Sequence, residues 1–181
     1  FSAVRNGGVQ ASRVDLRKGR SQKLPVRLSR ARDFDHGFVS LPRFFVTGKV
    51  LTSRLEEAFW RRLRGTARDD GALVFEDQYI STGGQLAELL LGHDRMIADL
   101  RPRVHARLRR RSALACHPYD ICTELILREA GGVVESPVGR PLDAPLDTET
   151  PVAWVAFANA RLARLARPAL RAALRRERLA R

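Results

Sequence analysis

Cysteine, methionine, lysine and aromatic residues are all scarce in this chain of 181 residues. It has two cysteines, one methionine (Met96) and three lysines (Lys18, Lys23 and Lys49), and aromatic side chains make up 7%. Each shortage excludes something. Cys116 and Cys122 cannot build a disulfide framework, and six residues is not a zinc-ligand spacing even with His117 beside Cys116. They read as two free thiols in a reducing, cytoplasmic setting. Few aromatics leave little for stacking against bases. No apolar run approaches the roughly 20 residues of a membrane span. Phe1-Ser2-Ala3-Val4-Arg5 lacks the basic flank and apolar block of a signal peptide. A chain that opens on Phe1 and holds its only methionine at position 96 is expected to be part of a longer one. At 44% hydrophobic and 29% charged, the composition is globular and the length suits one domain.

Arginine is what the sequence has in excess. With 33 basic residues and three lysines there are 30 arginines, the net charge is +13, and the pI is near 11.3. The charge is concentrated in three blocks. Residues 1–32 carry +8, residues 101–111 carry +6 and residues 161–181 carry +7, while 33–100 and 112–160 carry −3 and −5. A basic stripe is the footprint of a nucleic-acid binder. Without interleaved aromatics or zinc-finger spacing, a solvated arginine face is the better account, and nucleic acid is disfavoured as a partner. In the last block Leu162, Leu165, Ala166, Ala169, Leu170, Ala173 and Leu174 recur at i, i+3, i+4 spacing. This predicts an amphipathic helix, docked on a sheet rather than on a membrane.

The rest of the chain alternates strands with helices, which indicates α/β layers. Strands are expected at Phe1–Arg5 and Val9–Ala11 about the turn Asn6-Gly7-Gly8, and at Gly37–Leu41, Ala72–Phe75, Met96–Leu100, Val133–Glu135 and Val152–Phe157. Residues 12–35 read as loop with at most one strand. Helices are expected from a Thr52 or Ser53 cap to Arg64, over Gln85–Leu91 and over Ile121–Ala130, the last burying Ile121, Cys122, Leu125 and Ile126.

Several residues invite chemistry. Cys122 and Arg128 match the Cys-x5-Arg spacing of cysteine phosphatases, but the intervening Thr-Glu-Leu-Ile-Leu reads as helix, whose amides cannot turn toward a phosphate. Ser81-Thr82-Gly83-Gly84 precedes a helix, where free amides attract anions or are simply capped. Asp120 falls in the first turn of a helix, where the dipole favours a carboxylate. Asp99 ends a short strand, a usual place for a functional carboxylate in α/β folds.

Tyr119-Asp120, a short apolar helix, and Glu129-Ala130-Gly131-Gly132-Val133-Val134 together resemble the second signature of the inositol monophosphatase family. Ser81 to Asp99 is similar to that family's small-residue loop, helix and carboxylate-bearing strand, and Val155–Leu162 to its closing strand and helix. Phe1–Val9 resembles the hairpin that follows the family's central metal-binding strand. The resemblance implies a layered α/β sandwich shared with fructose bisphosphatases, here its C-terminal part, with a mixed sheet and flanking helices. It implies Mg2+-dependent hydrolysis of a sugar or polyol phosphate monoester, and a homodimer is in keeping with it. By position, Asp120 matches a metal ligand that also approaches substrate. Asp99 matches a Glu that contacts substrate hydroxyls, and Ser81, Thr82 and Gly83 match the loop beside the substrate ring. The family's first signature, Asp-Pro-(Ile/Leu)-Asp-Gly-(Thr/Ser), has no counterpart in this chain, and Tyr119 stands where Trp is usual. One ligating Asp cannot hold two metals, so no residue here is expected to be catalytic unaided and the chain alone is expected to be inactive. Two further readings stay open: an arginine-rich nucleic-acid-binding module, and a non-catalytic homologue acting as an interaction domain.

Overall fold

The computed structural model describes residues 1–43, 46–65, 81–111 and 115–180, together with the backbone of 73–75. Two short antiparallel hairpins open the chain, β1 (Ser2–Ala3) with β2 (Val9–Gln10) and β3 (Ser12–Asp15) with β4 (Arg20–Lys23). The elements β5 (His36–Ser40), α1 (Lys49–Arg64), β6 (Leu73–Phe75), α2 (Thr82–Leu90), β7 (Asp94–Asp99) and α3 (Arg101–Arg107) follow. Then come α4 (Pro118–Ile121), α5 (Glu124–Glu129), β8 (Val133–Glu135), β9 (Trp154–Phe157) and α6 (Ala160–Arg176).

Five strands form one mixed sheet in the order β6-β5-β7-β9-β8. β5 runs parallel to both β6 and β7, whereas β9 is antiparallel to β7 and β8. Every residue of β9 is buried, and so is every residue of β7 except Arg95. Strands buried on alternating sides need cover on both faces, which is why Met-Ile-Ala and Trp-Val-Ala-Phe read as unbroken apolar runs rather than alternating ones. α1 packs against α6, and α2 against α4 and α5. Phe59, Leu86, Leu89, Met96, Ile97, Trp154, Phe157 and Leu162 are among the side chains sealed in this core. Full burial of each such side chain contributes about 2 kcal/mol.

α6 is the amphipathic helix that its sequence predicts. Asn159 caps it by accepting from Leu162 N at 3.0 Å, and it docks on α1 and β9. Its buried face is Leu162, Ala163, Ala166, Ala169, Leu170, Ala173 and Leu174; Leu165, expected on that face, is exposed, and Ala163 takes the inner position. Pro168 sits inside the helix on its exposed side, where the carbonyl it leaves without a donor can meet water. Arg167 forks onto the buried Glu135 of β8 with three hydrogen bonds of 2.7–3.0 Å, tying the helix to the sheet edge. This pairing holds the Arg167 guanidinium above its ordinary pKa.

Several expectations are corrected. Residues 12–23 form a hairpin, not a loop, since Asp15 Oδ1 accepts from Arg17 N and Lys18 N and so closes the turn that periodicity could not reveal. α1 starts at Lys49, three residues before Thr52; Thr52 Oγ1 donates to Gly48 O rather than capping the helix. The predicted helix over 121–130 is two short ones, and Cys122, placed on its buried stripe, is exposed while Leu127 is sealed. Residues 101–107 of the second arginine block are helical, with Pro102 in the first turn, where its missing N–H costs nothing. Ala72 lies outside the described residues.

Two contacts anchor the periphery. The Glu129 carboxylate accepts from Asn6 N at 2.9 Å and Gly8 N at 3.1 Å, so the first hairpin is fastened to the end of α5. Those two bonds hold its pKa below the ordinary carboxylate value. At Gly92, φ is +81° and an added Cβ would lie 2.3 Å from Arg27 O. A Gly92→Ala chain should therefore lose about 2 kcal/mol or more in urea unfolding, because backbone meets backbone in the left-handed region. Gly83→Ala, where a Cβ meets nothing within 4 Å, should be neutral or up to ~1 kcal/mol more stable.

Candidate functional site

The carboxyl-terminal end of β7 is where the polar residues of the interior gather. Asp99 ends the strand and is fully buried. Its Oδ1 accepts from Arg101 N at 3.2 Å and Arg101 Nε at 2.8 Å, and its Oδ2 accepts from Arg101 Nη2 at 2.5 Å. One carboxylate thus caps α3 and neutralises a buried guanidinium. His105, one turn further along α3, is buried as well. Burial lowers its pKa, the Arg101 charge lowers it further, and Asp99 partly opposes both.

Cys116 connects Asp99 to the rest of the cluster. Its carbonyl accepts from Val152 N at 2.8 Å, which sets it beside the start of β9. Burial pushes its thiol up to about 12. The Asp99 and Asp120 carboxylates reinforce that and Thr82 works against it, while the thiol itself donates to His117 O at 3.6 Å and Trp154 Nε1 is buried with no hydrogen-bond partner among the described residues. The thiol therefore lies near Thr82, within electrostatic range of Asp99 and Asp120. Such a thiol stays protonated and is no nucleophile at neutral pH.

Asp120 sits in the first turn of α4, partly exposed. Its Oδ2 accepts from His117 N at 2.9 Å and lies 3.7 Å from His117 Nδ1. The His117 and Tyr119 rings stack, with centroids 5.6 Å apart and planes within 1°. Ser81 is the cap of α2, accepting from Gly84 N at 3.1 Å. Thr82 is buried and Gly83 is exposed in the first helical turn, so the predicted loop is already helix. Ser40 Oγ, at the same end of the neighbouring strand, and His117 Nδ1 are buried with no hydrogen-bond partner among the described residues.

The five residues singled out from the sequence thus occupy one end of the sheet, in different states. Ser81, Gly83 and Asp120 reach solvent, Thr82 faces a buried thiol, and both oxygens of Asp99 are engaged by Arg101. Arg101 and His105 went unnoticed in the sequence, and Cys116 was read only as a free thiol. Arg101 looked like one more arginine in a basic block, and nothing in its spacing marks it as the buried one. As for a metal, Asp120 is a hard oxygen donor of the kind Mg2+ takes. Among the described residues, however, no three His, Cys, Asp or Glu side chains come together to hold an ion. These residues do not by themselves fit the expected metal.

No family model and no curated protein matches this chain. Solved structures do. SuhB of Mycobacterium tuberculosis superposes with a TM-score of 0.55 at 15% identity, covering 99% of this chain and 55% of that one. An inositol monophosphatase from Thermotoga maritima gives 0.53 at 12% identity over 87% of this chain and 50% of its own. The fold is that of inositol monophosphatase. A third structure, inositol monophosphatase from Anabaena (Nostoc) sp. PCC 7120, agrees with a TM-score of 0.51 at 15% identity, over 86% of this chain and 50% of the other. The chain spans about half the length of the solved structures it matches. The inositol-monophosphatase fold expected from the Asp120 and Gly131-Gly132 region is therefore present, mixed sheet and flanking helices included.

Two outcomes follow from the charge and thiol geometry. Arg101→Ala should cost about 3–5 kcal/mol in equilibrium unfolding, since it strands a fully buried carboxylate. In thiol titration at pH 8, the folded chain should react once, at the exposed Cys122, and twice in denaturant. Cys116 should become reactive in the folded state only as the pH approaches its raised value of about 12.

Proposed function

We propose that this chain forms the C-terminal, substrate-side half of a phosphate-monoester hydrolase of the inositol monophosphatase type, acting on a sugar or polyol phosphate. The observation that carries this reading is the packing of α2, which begins at Thr82, against α4, which holds Asp120, and against β7, within a fold shared with inositol monophosphatases. In this reading Asp120 keeps Oδ2 on the His117 amide, which fixes the carboxylate and turns it toward an incoming hydroxyl or cation. Tyr119 and His117 form a flat wall beside it. Ser81 and Gly83 supply the exposed start of α2. Mg2+ belongs to this proposal only with carboxylates beyond those gathered here, and no chemical step is assigned to it.

One observation favours a second reading, a non-catalytic homologue that serves as an interaction domain. Both oxygens of Asp99, the residue matched to a substrate contact, are held by Arg101. The two readings part in experiment. The 181-residue chain, assayed against inositol phosphates and p-nitrophenyl phosphate with Mg2+, should release phosphate no faster than buffer; turnover above background would overturn the half-site reading. In a chain extended to carry the Asp-x-x-Asp-Gly signature, Asp120→Asn should lower kcat/KM by about 100-fold or more, as loss of a charge-stabilising ligand does. Wild-type kinetics in that variant would refute the role given to Asp120, whereas a complete chain that lacks the Asp-x-x-Asp-Gly signature would support the non-catalytic homologue.

A further inference from the structure

The first and third arginine blocks take no part in the site above, yet the fold joins them. A cavity of about 860 Å3 opens between the segment 26–32 and the start of α6, and Arg27, Arg30, Arg32 and Arg161 line it with Asn159 and Gly131. It lies at the far end of the sheet from Asp99, because Ala158 N donates to Arg95 O at the opposite end of β7. No acidic residue is among the described residues that line it. None of the four arginines takes part in the ion pairs found among the described residues. The acids nearest in sequence are engaged elsewhere: Asp33 lies 3.6 Å from Arg95, and Glu129 accepts from Asn6 N and Gly8 N.

The wall that carries three of these arginines is built rather than loose. Asn159 Nδ2 donates to Ser29 O at 2.9 Å and Ala31 O at 3.1 Å, Arg27 N donates to Leu90 O at 3.2 Å, and Arg161 Nε donates to Arg32 O at 3.0 Å. Gly92 lets the Arg27 carbonyl press close. A segment fixed in this way holds like charges beside one another, an arrangement that repels itself unless an anion offsets it. The positive end of the α6 dipole adds to the same field.

A groove elsewhere of about 850 Å3 is also lined by four arginines, Arg103, Arg107, Arg175 and Arg178. It has a different explanation. It lies at the C-terminal ends of α3 and α6, where basic side chains complement the negative dipole, and Arg103 Nη1 donates to Leu179 O at 2.7 Å. That groove is a natural control.

We propose that the cavity at the start of α6 binds a small anion carrying two or more phosphoryl groups. The size is that of a small-molecule site. Guanidiniums fork onto phosphate oxygens, and four of them match more charge than one phosphate brings. Among the described residues no aromatic side chain lines the cavity to stack on a base, so the phosphoryl groups are what it recognises.

Titration calorimetry on the 181-residue chain at about 100 mM salt, where exposed charges are well screened, tests this with pyrophosphate, tripolyphosphate, inorganic phosphate and citrate. Pyrophosphate and tripolyphosphate should each bind one per chain, at least about tenfold more tightly than inorganic phosphate or citrate. Arg27→Gln with Arg30→Gln, whose side chains hold no element in place, should weaken that binding at least about tenfold at unchanged Tm. Arg107→Gln with Arg178→Gln should leave it unaltered. Equal binding of citrate would overturn the phosphoryl assignment. Equal losses in the two variants, or tight binding only to an oligonucleotide, would show a diffuse basic surface and overturn the site.

Discussion

β7 and β9 face each other in antiparallel register from Met96 opposite Phe157 to Asp99 opposite Trp154. Because the two strands run in opposite senses, the exit of one is the entrance of the other. At the Asp99 end this brings Trp154 and, through the Val152 amide, Cys116 beside the start of α2 and α4. At the other end it delivers Ala158 and Asn159 to the start of β7, so α6 begins against the segment 26–32. The candidate site and the arginine-lined cavity are the two ends of one ladder. The ladder holds because neither strand exposes a face to water, and a polar substitution at Ile97 or Ala156 would disturb both ends together.

Asp99 and Arg101 show how burial decides what a charged residue can do. Removing an ion pair from water costs several kcal/mol per charge, recovered only when the geometry is good and the remaining lone pairs are used. Here the fork is complete, and Asp99 Oδ1 also accepts the Arg101 amide at the start of α3. A ligand hydroxyl approaching Asp99 would have to displace a guanidinium that has nowhere equally favourable to go. The carboxylate's present work is therefore to start a helix and neutralise its neighbour. Asp120 is the opposite case. It spends one oxygen on a backbone amide and stays within reach of solvent, which leaves it the carboxylate best able to meet a ligand.

The parts of this structure legible in the sequence are those whose pattern is local. The α6 stripe, the strand at 133–135 and the strand at 154–157, two residues shorter than the expected Val152–Phe157, all follow from spacing or composition. What the sequence hides depends on partners far along the chain. Leu165 fits the helical period of α6 yet faces water, because the stripe that meets α1 is centred on Ala163, Ala166 and Leu170. Cys122 lies on the expected buried stripe, but the chain breaks at Thr123 into a second short helix and turns the thiol outward. The hairpin at 12–23 has every residue exposed, so no alternation of apolar and polar residues could reveal it. Within the site, the positions of Asp99, Asp120 and Ser81 were legible and their states were not, because these depend on pairing with the Arg101 guanidinium, the His117 amide and the Gly84 amide.

The net charge of +13 is misleading as a sum. The arginines serve unlike physical ends once placed. Arg101 and Arg167 neutralise buried carboxylates, Arg171 donates to Val138 O, and Arg103 donates to Leu179 O. The two that pair with carboxylates contribute little to the field felt by a ligand, and the other two are tethered to backbone carbonyls away from the cavity. Arg27, Arg30 and Arg32 have no such employment, and they stand on a wall that hydrogen bonds hold still. The charge that matters for binding is thus a local residue of the whole, left over after structural pairing. It is concentrated where the first arginine block meets the positive end of α6 rather than spread along three blocks, a distinction that a count of charge along the sequence cannot make.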